Sequence, residues 1–234
     1  KTGKLLIAFD EADMNALQAI LYQGEEVGCE GLRLIGEKEL RELAPNVGGT
    51  GAMISPDTAI FDPFLYCVAL AENAASNGVR FDFHQEVGQI ERLKDGFCVH
   101  TPDDQYQCRF LVNCAGLYAD KISNLAGIAG YQIYPCRGEY FILDQAANDL
   151  LDIPVYPVPK PGIGGLGVHL TPTVHGNLII GPSAEYIESR SDYACTKEIM
   201  QKLYQEAKQL LPSLERKMII GTYSGVRPKL TPPK

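Results

Sequence analysis

The feature that most constrains the fold is an apolar helix pattern that passes directly into a strand pattern. Asp62 is a good N-cap, Pro63 suits the first helical position, and Gly78 is the kind of residue that ends such a helix. The next residues, 79–83, alternate apolar and charged side chains and predict a strand. A helix followed at once by a strand is typical of proteins that mix the two kinds of element.

A hairpin and a further strand follow. Residues 89–93 and 97–100 flank Lys94-Asp95-Gly96, in which Asp-Gly favours the positive φ angles of a tight turn. Another strand is predicted over 106–113, and it enters the small-residue turn Cys114-Ala115-Gly116. This order of elements predicts an α/β arrangement.

The rest of the chain predicts helices interleaved with short β runs. Met14, Leu17 and Leu21 lie on one face of a helix, and residues 131–182 hold brief β-like runs separated by prolines and glycines. The further predicted elements are strands at 5–9, 140–143, 168–171, 178–180 and 218–222, and helices from Asp10 or Asp13, at 37–43, at 118–125 and at 192–211. The fold class is therefore predicted as α+β or α/β.

Charge and cysteine usage narrow the classes of function. The 21 Lys and Arg against 29 Asp and Glu give a net charge of −8 with no basic cluster, which disfavours nucleic acid as a partner. The longest apolar stretch, 64–71, is far shorter than the ~20 residues that span a bilayer. The seven cysteines form no C-x-x-C pair and indicate reduced thiols in a cytoplasmic protein. Without metal-ligand spacings such as H-x-x-x-H, we expect no metal site.

One glycine-rich segment matches a nucleotide-binding pattern by letter alone. Gly162-Ile163-Gly164-Gly165-Leu166-Gly167 reads G-x-G-x-x-G, whose glycines let a pyrophosphate approach the start of a helix. We predict that the proline-rich 154–159 before it is no paired central strand, and that 168–172 after it cannot begin a helix. The segment is therefore interpreted as a loop or edge feature.

Six segments in a fixed order resemble one superfamily. Phe61-Asp62-Pro63, heading a helix that ends in Asn77-Gly78-Val79, resembles the middle segment of the FAD-dependent D-amino-acid oxidase and glycerol-3-phosphate dehydrogenase superfamily. The other five are Val112-Asn113-Cys114-Ala115-Gly116-Leu117-Tyr118-Ala119, Pro135-Cys136-Arg137-Gly138-Glu139-Tyr140, Gly167-Val168-His169-Leu170-Thr171-Pro172, Gly181-Pro182 and Gly225-Val226-Arg227-Pro228. The last four resemble the branch of L-2-hydroxyglutarate oxidases and related glycerol-3-phosphate dehydrogenase-like proteins. Cys114 departs from the pattern, because family members usually have Ala there.

The resemblance implies a mixed-sheet substrate-binding domain joined to part of a Rossmann-like FAD-binding domain. Residues 1–50 and 130–221 would form the substrate-binding (cap) domain, and 51–129 with 222–234 the partial FAD-binding domain. The family's opening strand, G-x-G-x-x-G loop and helix would precede Lys1, and a further flavin-contacting segment would follow the chain. We therefore expect a piece of a longer protein, inactive and without FAD by itself, because the main pyrophosphate-binding helix start lies outside it.

The activity implied is oxidation of a small hydroxy acid similar to 2-hydroxyglutarate to the keto acid, by hydride transfer to FAD. Arg227 is the best candidate to clamp an anionic substrate, because a guanidinium forks onto a carboxylate. His169 is the best candidate for a base, because an imidazole titrates near pH ~6.5. Arg137 is a second clamp candidate, with an ion pair to Glu139 as an equal alternative. The further substrate-binding candidates are Tyr140, Tyr156, Thr171 and Tyr223.

Residues for the cofactor follow from the resemblance alone. Those expected to contact FAD are Val87, Cys114, Ala115, Gly116, Gly225 and Val226, with 113–116 at the adenosine half. Each functional interpretation has a structural alternative: a close helix–strand crossing for 113–116, a hydrogen-bonded core histidine for His169, a surface ion pair for Arg227, and packing for the tyrosines.

Three other functions stay open. Glycerol 3-phosphate is the alternative substrate, and a phosphate dianion should gather more than one basic group. Amine oxidation is a further possibility, because fold and flavin do not define the substrate. A non-catalytic binding or scaffold module is the third, and no electron acceptor is indicated. A cytoplasmic location is expected, with membrane contact only through segments outside the chain.

Overall fold

The computed structural model describes residues 1–159 and 167–233, in which helices are interspersed with strands. The helices are α1 (Glu11–Glu26), α2 (Glu37–Leu43), α3 (Pro63–Ser76), α4 (Ala119–Leu125) and α5 (Lys197–Leu210). The strands are β1 (Lys4–Ala8), β2 (Arg33–Gly36), β3 (Gly51–Ser55), β4 (Gln89–Leu93), β5 (Gly96–His100), β6 (Gln105–Cys108), β7 (Tyr134–Leu143), β8 (Val155–Pro157), β9 (His169–Pro172), β10 (Leu178–Gly181), β11 (Glu185–Tyr186) and β12 (Ile219–Lys229). The predicted α/β class is confirmed.

The principal sheet has nine strands and mixed direction. Its strands follow the order β11-β7-β10-β9-β8-β1-β3-β2, and β12 pairs with β7. In β1, Leu6 pairs with Tyr156 of the parallel strand β8 and with Met53 of the antiparallel strand β3. Strands β4, β5 and β6 form a separate antiparallel sheet.

Helices cover the two faces of the principal sheet at different places. Leu5 and Ile7 of β1 belong to the main apolar cluster, together with residues of α5 such as Leu203. Leu6 alternates to the other face and packs in a second cluster with Leu17 of α1. Because burying one such side chain contributes about 1.5–3 kcal/mol, the two clusters fix which face of each strand points to each helix.

Contacts divide the chain into two compact units. The first consists of Lys1–Pro63, Arg137–Glu185 and Tyr193–Gly225, and the second of Phe64–Cys136, Tyr186–Asp192 and Val226–Lys234. Strand β3 belongs to the first unit because it pairs with β1, whereas the predicted domain boundary stood before it, after residue 50. The binding roles assigned to the two predicted domains stay predictions.

The prediction for the proline-rich segment 154–159 was wrong. Val155–Pro157 form strand β8, which lies between β1 and β9 in the principal sheet. The strand is tolerated because it is very short and because prolines still accept hydrogen bonds: Leu5 N donates to the Pro154 carbonyl at 2.8 Å. The interpretation of 162–166 as a loop lies outside the described residues.

In the second unit, one strand prediction was wrong and another was confirmed only in part. Residues 79–83 form no strand, and Phe81 and Phe83 stack on each other at 6.2 Å while remaining exposed. The strand predicted over 106–113 is paired only in β6, Gln105–Cys108. Alternation favours an extended backbone, but a strand also needs a neighbour to take its hydrogen bonds. Within the described residues, 79–83 and 109–113 have no neighbour that forms a ladder with them.

Local signals placed most helix ends well. The Asp10 side chain accepts from Asp13 N at 2.8 Å and caps α1, and α3 begins at Pro63 as predicted. Helix α5 begins at Lys197, five residues later than predicted, because Thr196 is its N-cap. Strands β2 and β3 were not predicted, and β12 is longer than the 218–222 expected.

Candidate active site

Strict alternation of burial along two strands separates a buried face of the principal sheet from a partly exposed one. In β9, Leu170 is buried in the main cluster while His169 and Thr171 on either side are half-buried. In β7, Phe141 is buried in the same cluster and Tyr140 is half-buried. The candidate site therefore lies on the face opposite α5.

Five residues from five strands form what we call the aromatic row: Tyr156, His169, Gly181, Tyr140 and Tyr223. The rings of Tyr156 and His169 stack at 4.2 Å with an angle of 16°. The rings of Tyr140 and Tyr223 stack at 4.6 Å with an angle of 2°. Between the two stacks lies Gly181, which pairs with His169 across β9 and β10.

Because Gly181 has no side chain, it leaves a depression in the middle of the aromatic row, between the two ring stacks. It has a φ of +142°, and a Cβ added there would lie 2.7 Å from the Glu139 carbonyl oxygen and 2.7 Å from Cδ1 of Tyr140. Any larger residue would therefore collide with β7. The result is a depression flanked by an imidazole on one side and a phenol on the other.

The phenol of Tyr223, at the end of the row, has a raised pKa and is protonated at neutral pH. Burial, with a smaller contribution from the neighbouring Tyr140, raises the pKa of Tyr223 to about 12. Tyr223 is nevertheless 40% exposed. At neutral pH the row presents hydrogen-bond donors and no negative charge, a surface suited to an anionic ligand.

His169 is held on two sides. Its Nδ1 lies 3.0 Å from the carbonyl oxygen of Gly167, and its ring faces that of Tyr156. Lys4 Nζ lies 5.6 Å from the centre of the Tyr156 ring and adds a cation–π contact. Sequence reasoning missed Lys4 because its contact joins strands that are distant in sequence.

Arg137 lies on the other face of the sheet. Its side chain is 8% exposed and its Nη2 is 3.1 Å from Oε1 of the fully buried Glu139. Thr196, the N-cap of α5, donates to the same carboxylate from its backbone N at 2.7 Å and from its hydroxyl at 3.1 Å. The ion pair weighed as the alternative to a substrate clamp is thus present, and Arg137 is separated by the sheet from Tyr140.

The other clamp candidate lies near the end of β12. Arg227 is exposed and belongs to the second unit, as does Val226, whereas Gly225 is the last residue of that stretch of the first unit. The role of Arg227 stays a prediction.

A turn in the second unit has the shape expected of a cofactor contact. The side chain of Asn113 accepts from Ala115 N at 3.1 Å and donates to the Ala119 carbonyl at 2.8 Å, which ties the turn to α4. Cys114 and Gly116 are exposed, and Gly116 has a φ of +54° with no atom within 4 Å of an added Cβ. Small side chains and an open glycine leave the backbone accessible, so this turn fits an FAD contact. Val87, half-buried just before β4, is a separate candidate.

Arg190 fastens the segment that follows this turn. It donates to both carboxylate oxygens of Asp120, at 2.6 Å and 2.8 Å, and also to the Leu117 carbonyl. Asp120 further accepts from Ile133 N at 2.9 Å. These donors hold the pKa of Asp120 well below its ordinary range. Nothing in the sequence indicated this pair, which joins residues 70 positions apart.

The remaining histidines lie outside the aromatic row. His84 and His175 are exposed, and His175 Nε2 lies 2.6 Å from a carboxylate oxygen of Asp62. The side chain of His100 is only 26% exposed and lies near Glu91 in the neighbouring strand.

The described part of the chain has neither a membrane-spanning helix nor a metal-binding group of side chains. Across residues 1–159 and 167–233, no helix combines the length and apolar character needed to cross a membrane. The same residues hold no group of three or more His, Cys, Asp or Glu side chains placed to bind a metal ion.

The sequence matches one protein family and is similar to dehydrogenases of two kinds. Residues 1–234 match the family described as FAD dependent oxidoreductase (DAO). The chain is 35% identical over 229 residues to a glycerol 3-phosphate dehydrogenase of Caloramator mitchellensis, covering 97% of this chain and 47% of that protein. It is 33% identical over 193 residues to an L-2-hydroxyglutarate dehydrogenase of Escherichia coli, covering 82% of this chain and 46% of that protein. The chain thus spans about half the length of these relatives.

Solved structures agree with the fold. The dithionite-reduced L-α-glycerophosphate oxidase of Mycoplasma pneumoniae with FAD bound superposes with a TM-score of 0.89 at 25% identity, covering 97% of this chain and 61% of that one. A glycine oxidase of Geobacillus kaustophilus gives a TM-score of 0.84 at 22% identity, covering 98% and 59%. The second likeness concerns the fold alone.

Proposed function

The chain belongs to the DAO family of FAD-dependent oxidoreductases, and from that premise we propose that it supplies the substrate site of an enzyme that oxidises a small 2-hydroxy acid, similar to 2-hydroxyglutarate, to the keto acid. FAD, when bound, supplies the acceptor for the hydride. We assign its contacts to Val87, Cys114, Ala115, Gly116, Gly225 and Val226. The observation that carries the proposal is the aromatic row, where an imidazole and two neutral phenols flank a depression.

Three residues of the row are assigned a task in this reaction. His169 accepts the hydroxyl proton, and the hydrogen on the same carbon leaves with two electrons as hydride, so the C–O single bond becomes a carbonyl. Tyr140 and Tyr223 donate hydrogen bonds to the anionic end of the substrate, and Thr171, on the same face as His169, offers a further hydroxyl.

Arg227 is assigned the role of clamp for a substrate carboxylate. Its guanidinium is exposed and can form two parallel hydrogen bonds with a carboxylate, which a lysine cannot. Replacing Arg227 with lysine should therefore raise the KM by about 10-fold to 100-fold, as expected for losing a charge-assisted hydrogen bond.

Glycerol 3-phosphate is a second candidate substrate, favoured by the relative that aligns with nearly the whole chain. That relative is the glycerol 3-phosphate dehydrogenase of Caloramator mitchellensis. A phosphate dianion calls for several basic groups. Among the described residues, Lys4 lies beside the aromatic row, 5.6 Å from the centre of the Tyr156 ring, and one such basic group suits a carboxylate better than a phosphate.

Steady-state kinetics on the complete FAD-loaded protein separates the candidates. We expect a higher kcat/KM with L-2-hydroxyglutarate than with glycerol 3-phosphate; the reverse order would replace the first proposal with the second. In addition, His169→Gln should lower kcat on the order of 10²-fold to 10⁴-fold. Lys94→Ala, in the β4–β5 turn, is the matched surface control. If no substrate is turned over and FAD does not bind, the chain is a scaffold module and the proposal fails.

A further inference from the structure

The proposed function does not explain why a glycine and a proline, Gly167 and Pro157, lie close to His169. We propose that Tyr156, Pro157 and Gly167 are positioning residues that hold His169 as its Nδ1–H tautomer, so that Nε2 carries the lone pair that accepts the substrate proton. This inference rests on the proposed role of His169 as the base. It concerns the state of the ring before any substrate arrives.

The partner of Nδ1 determines the tautomer. Gly167 offers a carbonyl oxygen at 3.0 Å, and a carbonyl can only accept a hydrogen bond. Nδ1 of His169 must therefore bear the hydrogen. In a neutral imidazole the other nitrogen is then the basic one. A hydrogen bond at one nitrogen thus sets the chemistry available at the other.

The partner ring determines the orientation. Tyr156 stacks on His169 at 4.2 Å and 16°, which opposes rotation of the imidazole about its Cβ–Cγ bond. Tyr156 is also held by a cation–π interaction with Lys4 at 5.6 Å and by packing against the second apolar cluster, which contains Leu6. Strand β8 is itself held, because Tyr156 pairs with Leu6 in the parallel strand β1.

The Gly167 carbonyl, which accepts the hydrogen bond from His169, is held in place by Pro157, the residue that follows Tyr156 in β8. Gly167 has a φ of +74°, and an added Cβ would lie 2.7 Å from Cγ of Pro157. Gly167 is therefore seated directly against the proline ring. Pro157 in turn pairs with Ile7 of β1. Two consecutive residues, Tyr156 and Pro157, thus hold the imidazole ring and the carbonyl that fixes its tautomer.

This arrangement accounts for two features of the sequence. Gly167 is the last glycine of the segment that resembles a dinucleotide pattern, and here its carbonyl serves as an acceptor for His169. The proline of β8 supplies a rigid ring against which only glycine fits.

Nitrogen NMR of histidine tests the inference without any activity measurement. The chain has four histidines, and the signals of His169 are those that vanish from the spectrum of the His169→Gln variant. At a pH where the ring is neutral, we expect the protein labelled with ¹⁵N-histidine to show Nδ1 protonated and Nε2 unprotonated. A protonated Nε2 or an equal mixture of the two tautomers in the unmodified protein would overturn the inference.

Variants show which residues hold the tautomer. Gly167→Ala and Tyr156→Leu should each shift His169 toward a tautomer mixture, whereas Tyr156→Phe, which keeps the stack, should preserve the Nδ1–H form. Gly176→Ala is the control, since Gly176 also has a left-handed φ, of +84°, but its nearest contact to an added Cβ is 4.0 Å away. If Gly167→Ala and Tyr156→Leu leave the Nδ1–H form intact, the assigned positioning residues are wrong.

Kinetics on the FAD-loaded protein completes the test. Gly167→Ala should lower kcat on the order of 100-fold with little change in KM, because the base is misplaced while the clamp is intact. The two proposals fail separately. If the Nδ1–H tautomer is present but His169→Gln keeps full turnover, the proposed base is wrong; if the tautomer is absent, the positioning inference is wrong whatever the turnover.

Discussion

Replacing Arg190 with methionine should sharply destabilise the second unit. Arg190 donates to both carboxylate oxygens of Asp120, whose side chain is 7% exposed. Methionine would keep an unbranched apolar stem but remove the guanidinium and, with it, both donors to Asp120. Asp120 would then remain a buried carboxylate held by the backbone donors of Lys121 and Ile133.

The expected decrease in the free energy of unfolding follows from the burial of the Arg190–Asp120 ion pair. Breaking a buried ion pair by removing one partner costs about 3–5 kcal/mol, since the remaining charge is uncompensated. Arg190 keeps 18% of its side chain exposed, so water can partly replace it and we expect about 3 kcal/mol, the lower end of that range. For a protein of this size that corresponds to a Tm lower by about 6–12 °C.

This loss of stability should be larger at neutral pH than at low pH. Asp120 has a depressed pKa in the folded protein, so its pairing stabilises the fold at any pH above the unfolded value of about 3.9. The stabilisation falls as pH decreases from there toward the folded pKa. The difference between Arg190→Met and the unmodified protein should therefore be full at pH 7 and shrink below pH ~4.

Urea and thermal unfolding followed by circular dichroism, at pH 7 and at pH 3, measure both effects. Lys1→Met is the control, because it breaks an ion pair with Asp57 whose side chains are 70% and 67% exposed, and it should leave the midpoint unchanged. A loss under about 1 kcal/mol at pH 7, within the range of exposed pairs, would refute the reasoning. So would a loss that is the same at both pH values.

Three further predictions concern the principal sheet. Gly181→Ala should cost about 1–3 kcal/mol in urea unfolding, because alanine is strained at a φ of +142° and meets the Glu139 carbonyl at 2.7 Å; a cost no greater than that of Gly176→Ala would contradict the clash. Glu139→Gln should cost about 3–5 kcal/mol in thermal unfolding, because it removes the negative charge paired with the buried Arg137; the exposed Glu198→Gln is its control, and equal midpoints for the two variants would refute it. Ultraviolet titration should show one tyrosine with a pKa of about 12 that is absent from Tyr223→Phe, because burial and Tyr140 disfavour the phenolate; loss of a group that ionises near pH 10 instead would contradict this.

Local chemistry in the sequence determined much of the secondary structure. Asp10 caps α1, Pro63 begins α3, and the β4–β5 hairpin turns at Lys94-Asp95, within the predicted turn segment, because each signal depends on residues that are close in sequence. The family resemblance of the segments around Gly116 and Arg227 was likewise readable from the chain. Such signals can be interpreted from the local sequence, without knowing which segments pack beside them in the fold.

Strand pairing was decided by partners that local patterns do not contain. Residues 79–83 alternate like a strand and form none, whereas the proline-rich Val155–Pro157 is paired on both sides. The first segment has no strand beside it among the described residues, while β8 is held by β1 and β9. Pairing energy comes from the neighbour, so propensity alone ranks such segments wrongly.

The aromatic row was named from sequence only as separate candidates. Tyr140, Tyr156, His169 and Tyr223 come from four strands, and their two stacks exist only once the strand order and register are set. The burial of Arg137 on the opposite face follows from the same alternation, since a strand sends neighbouring side chains to opposite sides. Sequence thus supplied the residue types, and tertiary structure decided which of them meet, because contacts between distant segments depend on register and not on local spacing.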